Sequence, residues 1–271
     1  MLFKVTTDGQ ITRLSMAATV SGRPLYVVHA YLVDGLLIDT GCANVARAFW
    51  EFVRENPVEQ AYITHYHEDH AGNNLVLNKL GIPSYAGEMT VSKLGQEIPY
   101  RLYEKLFWGV MPRSTAVPRE GHIETSRHRF EIIPAPGHSK DMAVLFEKNE
   151  GWLFSADLYV APRKMLWRLE ENLPELMRSI EKTLSYDFEA LYCSHRPVLK
   201  NGKQALARKL EIMKETAGSI LELHKKGLPE REITRRVLGR EMWLTLFTTG
   251  DMSKINAVRS VISSHAGNDA R

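Results

Sequence analysis

Short apolar runs bounded by glycine, asparagine and aspartate dominate the chain up to about residue 200, and beyond them apolar positions recur every three or four residues. Residues 11–17, 24–33 and 36–38 read as strands. Asp34-Gly35 joins the last two, a pair that favours a tight hairpin turn. After Asp39-Thr40-Gly41, Asn44 is placed to cap a helix with Val45, Ala48, Phe49, Phe52 and Val53 on one face. A short strand at 61–64 and a helix at 74–80 follow. The second series of strands covers 130–135, 142–146, 152–154 and 190–193. Before the last of these comes a helix with Pro174 in its first turn and Leu176, Met177, Ile180 and Leu184 on one side. From Gly202 the pattern is helical, with Leu206, Leu210, Met213, Ala217 and Ile220 forming a stripe. Gly227 ends it, and Pro229 opens a shorter helix carrying Ile233 and Val237.

Composition sets bounds on this picture. With 271 residues the chain holds one large domain over 1–200 and a helical extension over 201–271 that packs on it. A net charge of +3 is too small an excess to mark a nucleic-acid-binding face. Cys42 and Cys193 are the only cysteines, so no disulfide framework is expected; buried free thiols in a reducing cytosol are. The N-terminal residues lack an apolar signal core, and no apolar run reaches membrane-spanning length. The expected location is cytoplasmic, with no membrane partner.

The chemistry is concentrated in His65-Tyr66-His67-Glu68-Asp69-His70, directly after a strand. Two imidazoles one residue apart project to the same side of an extended or tightly turned backbone. Ligand-type residues also follow three later apolar strands: His138, Asp157 and His195. We assign His65, His67 and His138 to one metal, and Asp69, His70 and His195 to a second. Asp157 bridges them, because each carboxylate oxygen can bind one cation. Ligands that are all nitrogen or oxygen suit zinc and also admit Mn, Fe, Co or Ni. Two divalent ions lower the pKa of a bridging water to roughly 7, as catalytic zinc does. The expected enzyme is therefore a hydrolase whose bridging hydroxide attacks a carbonyl or phosphoryl centre, with Asp69 and Asp157 as its catalytic carboxylates. Asp39 is expected behind the ligands, fixing the tautomer of a histidine.

Residues 64–73 resemble the His-x-His-x-Asp-His signature of the metallo-β-lactamase superfamily. Asp39-Thr40-Gly41, Pro136-Gly137-His138-Ser139, Phe154-Ser155-Ala156-Asp157 and His195 resemble its other motifs, in the family's order, over roughly residues 10–200. The resemblance implies an α/β fold: a four-layer αβ/βα sandwich of two mixed sheets with outer helices and the metals at one edge. The 64–73 tract is closest in style to glyoxalase II and other ester or thioester hydrolases. The chain departs from them at Ser139-Lys140-Asp141, and at Ala156, where most relatives have glycine.

The expected substrate is a small ester, thioester or lactone. The alternatives are a phosphodiesterase or nuclease using the basic tail to hold nucleic acid, and a mononuclear, sulfur-handling iron protein. Residues 88–118 are apolar and aromatic; a lid with Tyr103, Phe107 and Trp108 as candidate substrate contacts and a helix packed on the body or forming a homodimer contact are expected equally. Tyr66 and Tyr159 are candidate proton donors, though ordinary packing is the favoured reading of both. Arg163, Lys164 and Arg168 are placed to meet an anionic substrate or to lie on a solvated loop.

Overall fold

The Asp34-Gly35 hairpin forms as its composition dictates: both residues have positive φ, +46° and +82°, which this tight turn requires. It joins β3 (Arg23–Val33) to β4 (Leu36–Ile38), and β1 (Leu2–Asp8) and β2 (Ile11–Val20) extend the sheet on the β3 side. A computed structural model describes residues 1–196 and 200–269; the end of the expected helical extension, 270–271, lies outside the described residues. On the other side β5 (Gln60–Ile63), β6 (Ser84–Ala86) and β7 (Val117–Pro118) add in parallel, giving the seven-stranded order β1-β2-β3-β4-β5-β6-β7. The second sheet has the order β12-β11-β10-β9-β8. Its members are β8 (His122–Glu124), β9 (Arg129–Pro134), β10 (Ala143–Glu147), β11 (Trp152–Ala156) and β12 (Ala190–Cys193). Only β11 and β12 run parallel in that sheet.

The sheets pack face to face. Ile11, Tyr31, Ile38 and Tyr62 from the first meet Phe130, Ile132, Leu145 and Phe154 from the second. The outer face of the first sheet is covered by α1 (Ala46–Glu55), α2 (Asn74–Lys79), α4 (Leu102–Phe107) and α8 (Trp243–Phe247). The outer face of the second is covered by α5 (Leu173–Leu184), α6 (Gly202–Lys225), α7 (Glu230–Val237) and α9 (Lys254–Asp269). This is the four-layer sandwich that the resemblance implied. Asn172 caps α5, its side chain accepting from the Glu175 amide, and Pro174 lies in the first turn as expected.

Two readings need correction. Asn44 does not cap α1: Val45 holds the N-cap position, and the Asn44 amide instead donates to the Phe107 carbonyl at 3.1 Å, tying the first helix to α4. Of the alternatives for residues 88–118, the lid gives way to packing on the body. These residues form α3 (Glu88–Leu94), α4 and β7, with Leu94, Tyr103, Phe107, Trp108 and Met111 buried against the body.

The helices after residue 200 share their core with the second sheet. Leu206, Leu210, Met213 and Ile220 pack with Val144, Leu191, Leu176 and Ile180. One polar contact reaches further. Lys209 on α6 is buried, and its ammonium donates to the carbonyls of Leu158 (2.8 Å) and Tyr159 (2.5 Å), just past Asp157. Burial, reinforced by the charge of Lys164, pulls its pKa from 10.5 down to about 7. A lysine that is harder to protonate in the fold than in the unfolded chain raises stability as pH climbs through that window. Stability is therefore expected to increase between about pH 7 and 10.5, and Lys209→Met should flatten that rise in urea denaturation series at stepped pH.

Candidate metal centre

Every ligand-type residue singled out above follows a strand end at the same edge of the sandwich. The segment after β5 carries His65, His67, Asp69 and His70; the one after β9 carries His138; Asp157 follows β11 and His195 follows β12. All are buried except His195, which is partly so. Two local features let the chain turn here. Gly72 lies so close to the Glu68 carbonyl that a Cβ would stand 2.5 Å from it. Gly137 has φ +127°, and a Cβ there would sit 2.3 Å from the Leu176 amide nitrogen of α5.

His65 Nε2 and His138 Nε2 approach His67 Nδ1 at 3.1 and 3.0 Å. Beside this trio, His195 Nε2 lies 3.4 Å from Asp69 Oδ2, and His70 Nε2 lies 3.9 Å from Asp69 Oδ1. Asp157 stands between the groups. Its Oδ2 is 3.2 Å from both His138 Nε2 and His195 Nε2, and its Oδ1 is 3.4 Å from His70 Nε2. Ligand atoms of His65, His67 and His138 lie within 4.8 Å of one another, as do those of Asp69, His70 and His195, and those of His65, His70 and Asp157. The chain thus carries two closely spaced clusters able to hold metal.

The outward-facing ring nitrogens settle the tautomers. His70 Nδ1 donates to Asp39 Oδ2 at 2.7 Å. His65 Nδ1 donates to Thr64 Oγ1 at 3.0 Å, which in turn donates to Asp39 Oδ2 at 2.9 Å. His195 Nδ1 donates to the Val27 carbonyl at 3.0 Å, and His67 Nε2 donates to Glu170 Oε1 at 2.7 Å. His138 Nδ1 faces Glu171 Oε1 at 3.6 Å. With protons held outside, the lone pairs of the other nitrogens point inward at one another. The inward atoms His70 Nε2 and Asp157 Oδ1 are buried without a hydrogen-bond partner. Such a nest of lone pairs and carboxylates fits divalent cations.

The electrostatics divide the imidazoles: burial holds His65 and His138 below the ordinary range, whereas, against burial, nearby carboxylates raise His67, His70 and His195. Burial, then the crowd of neighbouring imidazoles, holds His65 well below the ordinary histidine range, as the neutral ligand form requires. Burial opposes charge on Asp157 as well, yet His195, His138 and His70 together keep its carboxyl well below the usual range. Burial likewise disfavours a charged His70, but Asp39, Asp69 and Asp157 carry its pKa well up.

The segment between β11 and α5 supplies groups that the sequence did not single out. Glu170 holds His67 with one oxygen and accepts from the Tyr66 hydroxyl with the other, at 2.7 Å each. Glu171 is buried, ion-paired to Lys164 at 2.5 Å; burial works against its charge, but Lys164 and His138 bring its pKa down to about 2. Two adjacent glutamates on a charged loop give no signal of their own; only the fold shows that they stand behind two ligands of one cluster. Asp141, in the tract that departs from glyoxalase II, accepts from the Tyr66 amide (2.9 Å) and the Thr90 hydroxyl (2.8 Å), steadying the turn between His65 and His67.

The remaining candidates separate clearly. Trp108 lines the cavity over the clusters, together with Tyr26, Met165, Leu166, Met242 and Met252. Tyr103 and Phe107 pack in the core behind it, and the Tyr103 hydroxyl donates to Asp251. Tyr66 is engaged by Glu170, and Tyr159 packs in the core over Lys209. Arg168 is buried against Glu68 at 2.5 Å, and Lys164 is taken by Glu171, which leaves Arg163 as the unpaired cation of that group among the described residues. Ala156 has φ +42°, a backbone conformation that glycine adopts more readily, at a bulge in β11 that delivers Asp157.

Known proteins resemble this chain throughout these elements. The pattern of the family described as "Metallo-beta-lactamase superfamily" matches residues 23–195. A "Beta-lactamase-like protein 2 homolog" of Caenorhabditis elegans is 24% identical over 216 residues, 77% of this chain and 68% of the relative. Among solved structures, a beta-lactamase domain protein from Burkholderia ambifaria superposes with a TM-score of 0.73 at 16% identity, covering 97% of this chain and 88% of that one. A metallo-beta-lactamase family protein from Thermus thermophilus gives 0.68 at 19% identity, covering 95% and 94%.

Two substitutions probe this geometry. Glu170→Gln removes the carboxylate behind His67, and metal affinity measured by chelator competition is expected to fall about 10- to 100-fold. Ala156→Gly relieves the left-handed backbone and should stabilise the protein by about 0.5–1 kcal/mol in thermal melts, with metal content unchanged.

Proposed function

The chain belongs to the metallo-beta-lactamase superfamily, its paired clusters are those of a metal-dependent hydrolase, and we propose that the bond it cleaves is an ester, thioester or lactone. The observation that carries this reading is the cavity over the clusters. It holds about 540 Å³, within the range of small-molecule sites, and its walls are largely apolar. A carbonyl substrate of modest size fits such a space.

In this reading His65, His67 and His138 hold one divalent ion, Asp69, His70 and His195 the other, and Asp157 both. Two such ions, when bound, supply Lewis acidity and lower the pKa of water towards neutrality. The chain's own groups do the rest. Asp39, Thr64, Glu170 and the Val27 carbonyl keep the imidazole protons outside, so each ligand lone pair is presented ready-made. Asp69 and Asp157 offset the positive charge, which eases release of an anionic product. Trp108 and the methionines exclude bulk water from the reacting carbonyl. Zinc is the metal we favour, on the oxygen and nitrogen donor set.

A polynucleotide substrate has less support. The tail cations are largely spent on neighbours: Lys226 pairs with Glu222, Arg235 and Arg236 with Glu232, and Arg259 with Glu230. Among the described residues no helix is long and apolar enough to cross a membrane.

The test is a panel of acyl thioesters, lactones, aryl esters and bis-p-nitrophenyl phosphate on metal-loaded protein. Turnover of the carbonyl substrates is expected. Turnover of the phosphodiester alone would overturn the proposal. Asp157→Ala should lower bound metal by at least one ion per chain in elemental analysis and reduce turnover by more than about 100-fold.

A further inference from the structure

The cavity over the clusters has a chemical character beyond its size. Tyr26, Trp108, Met165, Leu166, Met242 and Met252 form an apolar wall. That wall does not end at the mouth. The Tyr26 ring lies 5.1 Å from Phe107, Phe107 lies 6.0 Å from Phe247, and Phe247 lies 6.0 Å from Trp243. Trp243 is 71% exposed and Leu246 beside it 84%, and Met242, which lines the cavity, directly precedes Trp243, so exposed apolar surface on α8 adjoins the cavity while the buried Phe107 backs it. Methionine and aromatic side chains of this kind accommodate flexible hydrocarbon well.

The cavity also holds cations. Arg168 and Lys164 are spent on Glu68 and Glu171. Arg163 and Arg196 are not: both line the cavity, both are exposed, and neither forms an ion pair among the described residues. Arg196 uses its Nε to donate to the Val160 carbonyl at 3.1 Å, which aims the guanidinium and leaves its terminal nitrogens open. Apart from the ligand carboxylates Asp69 and Asp157, the lining carries one acidic side chain, Glu171, already paired. Two unpaired guanidiniums beside a hydrocarbon wall suit an anion on the same molecule as an apolar chain.

Resting on the hydrolase reading above, we propose that the substrate is an anionic amphiphile: an acyl ester or thioester whose hydrocarbon chain lies along the Tyr26–Trp108–Met242 wall and whose phosphate or carboxylate is held by Arg163 and Arg196. The reaction is hydrolysis. The oxygen of water bonds to the acyl carbon, the carbon–sulfur or carbon–oxygen bond breaks, and the thiol or alcohol leaves with a proton, giving the carboxylic acid.

The experiment uses the full, metal-loaded chain and straight-chain acyl thioesters from acetyl to dodecanoyl, on phosphopantetheine and on neutral pantetheine. The expected kcat/KM rises about three- to fourfold per methylene until the wall is covered. The phosphorylated series is expected to be favoured about tenfold or more over the neutral one. Arg163→Ala and Arg196→Ala should each bring the two series together, and Met242→Ser should flatten the chain-length profile. Hydrolysis with neither a chain-length rise nor a phosphate preference overturns this inference and leaves the hydrolase reading standing. If no acyl thioester is hydrolysed, calorimetry with dodecyl phosphate decides. Binding that is lost in the Arg163→Ala/Arg196→Ala double variant upholds the amphiphile site while the thioester part of the hydrolase reading fails, and no binding overturns the amphiphile site.

Discussion

Buried lone pairs facing one another are the constraint around which this molecule is organised. Five imidazoles and two carboxylates converge at one edge of a sandwich, and all but His195 are buried. Left uncompensated, the arrangement would be repulsive and costly to desolvate. It persists because the surrounding chain holds four of the five outward ring nitrogens in place, Asp39 for His70, Thr64 for His65, Glu170 for His67 and the Val27 carbonyl for His195, while His138 Nδ1 faces Glu171 at 3.6 Å. Those partners come from β3, the end of β4, the end of β5 and the loop before α5. Both sheets must therefore be assembled before the site exists, and cations would remove the remaining repulsion.

The helices beyond residue 200 take part in this assembly. Their apolar stripe completes the core over the second sheet, and Lys209 reaches through to the carbonyls that follow Asp157. A buried lysine held below its ordinary pKa is a cost, and its place in the fold is to clamp the loop that carries Asp157 between the two clusters. Catalytic body and extension are thus two names for one packed unit.

Much of this could be read from the amino-acid sequence, for identifiable reasons. Metal ligands are costly residue types grouped at short spacing after apolar strands, so His65, His67, Asp69 and His70 stand out, and His138, Asp157 and His195 acquire meaning by order. Strands and the long helix follow from periodicity. What escaped was contact between distant polar groups. Glu170 and Glu171 look like any pair of loop glutamates, and Asn44 looks like a helix cap until its amide is seen bonded to Phe107. The aromatic stretch 88–118 showed its hydrophobicity without its direction: Tyr103 and Phe107 face inward, and Trp108 alone of the three meets the cavity. Facing is a property of the packed body, which a single element cannot report.

The loop from 162 to 171 carries Arg163 and Met165 on the cavity wall and Glu170 and Glu171 behind the imidazoles. On the proposed reading, one short strap serves both recognition and ion retention. A change in this strap that admits a different molecule would also disturb its grip on the imidazoles, and so would one beside Tyr26, whose neighbour Val27 accepts from His195; the Met242 side, where no hydrogen bond or ion pair reaches these histidines among the described residues, is freer to vary.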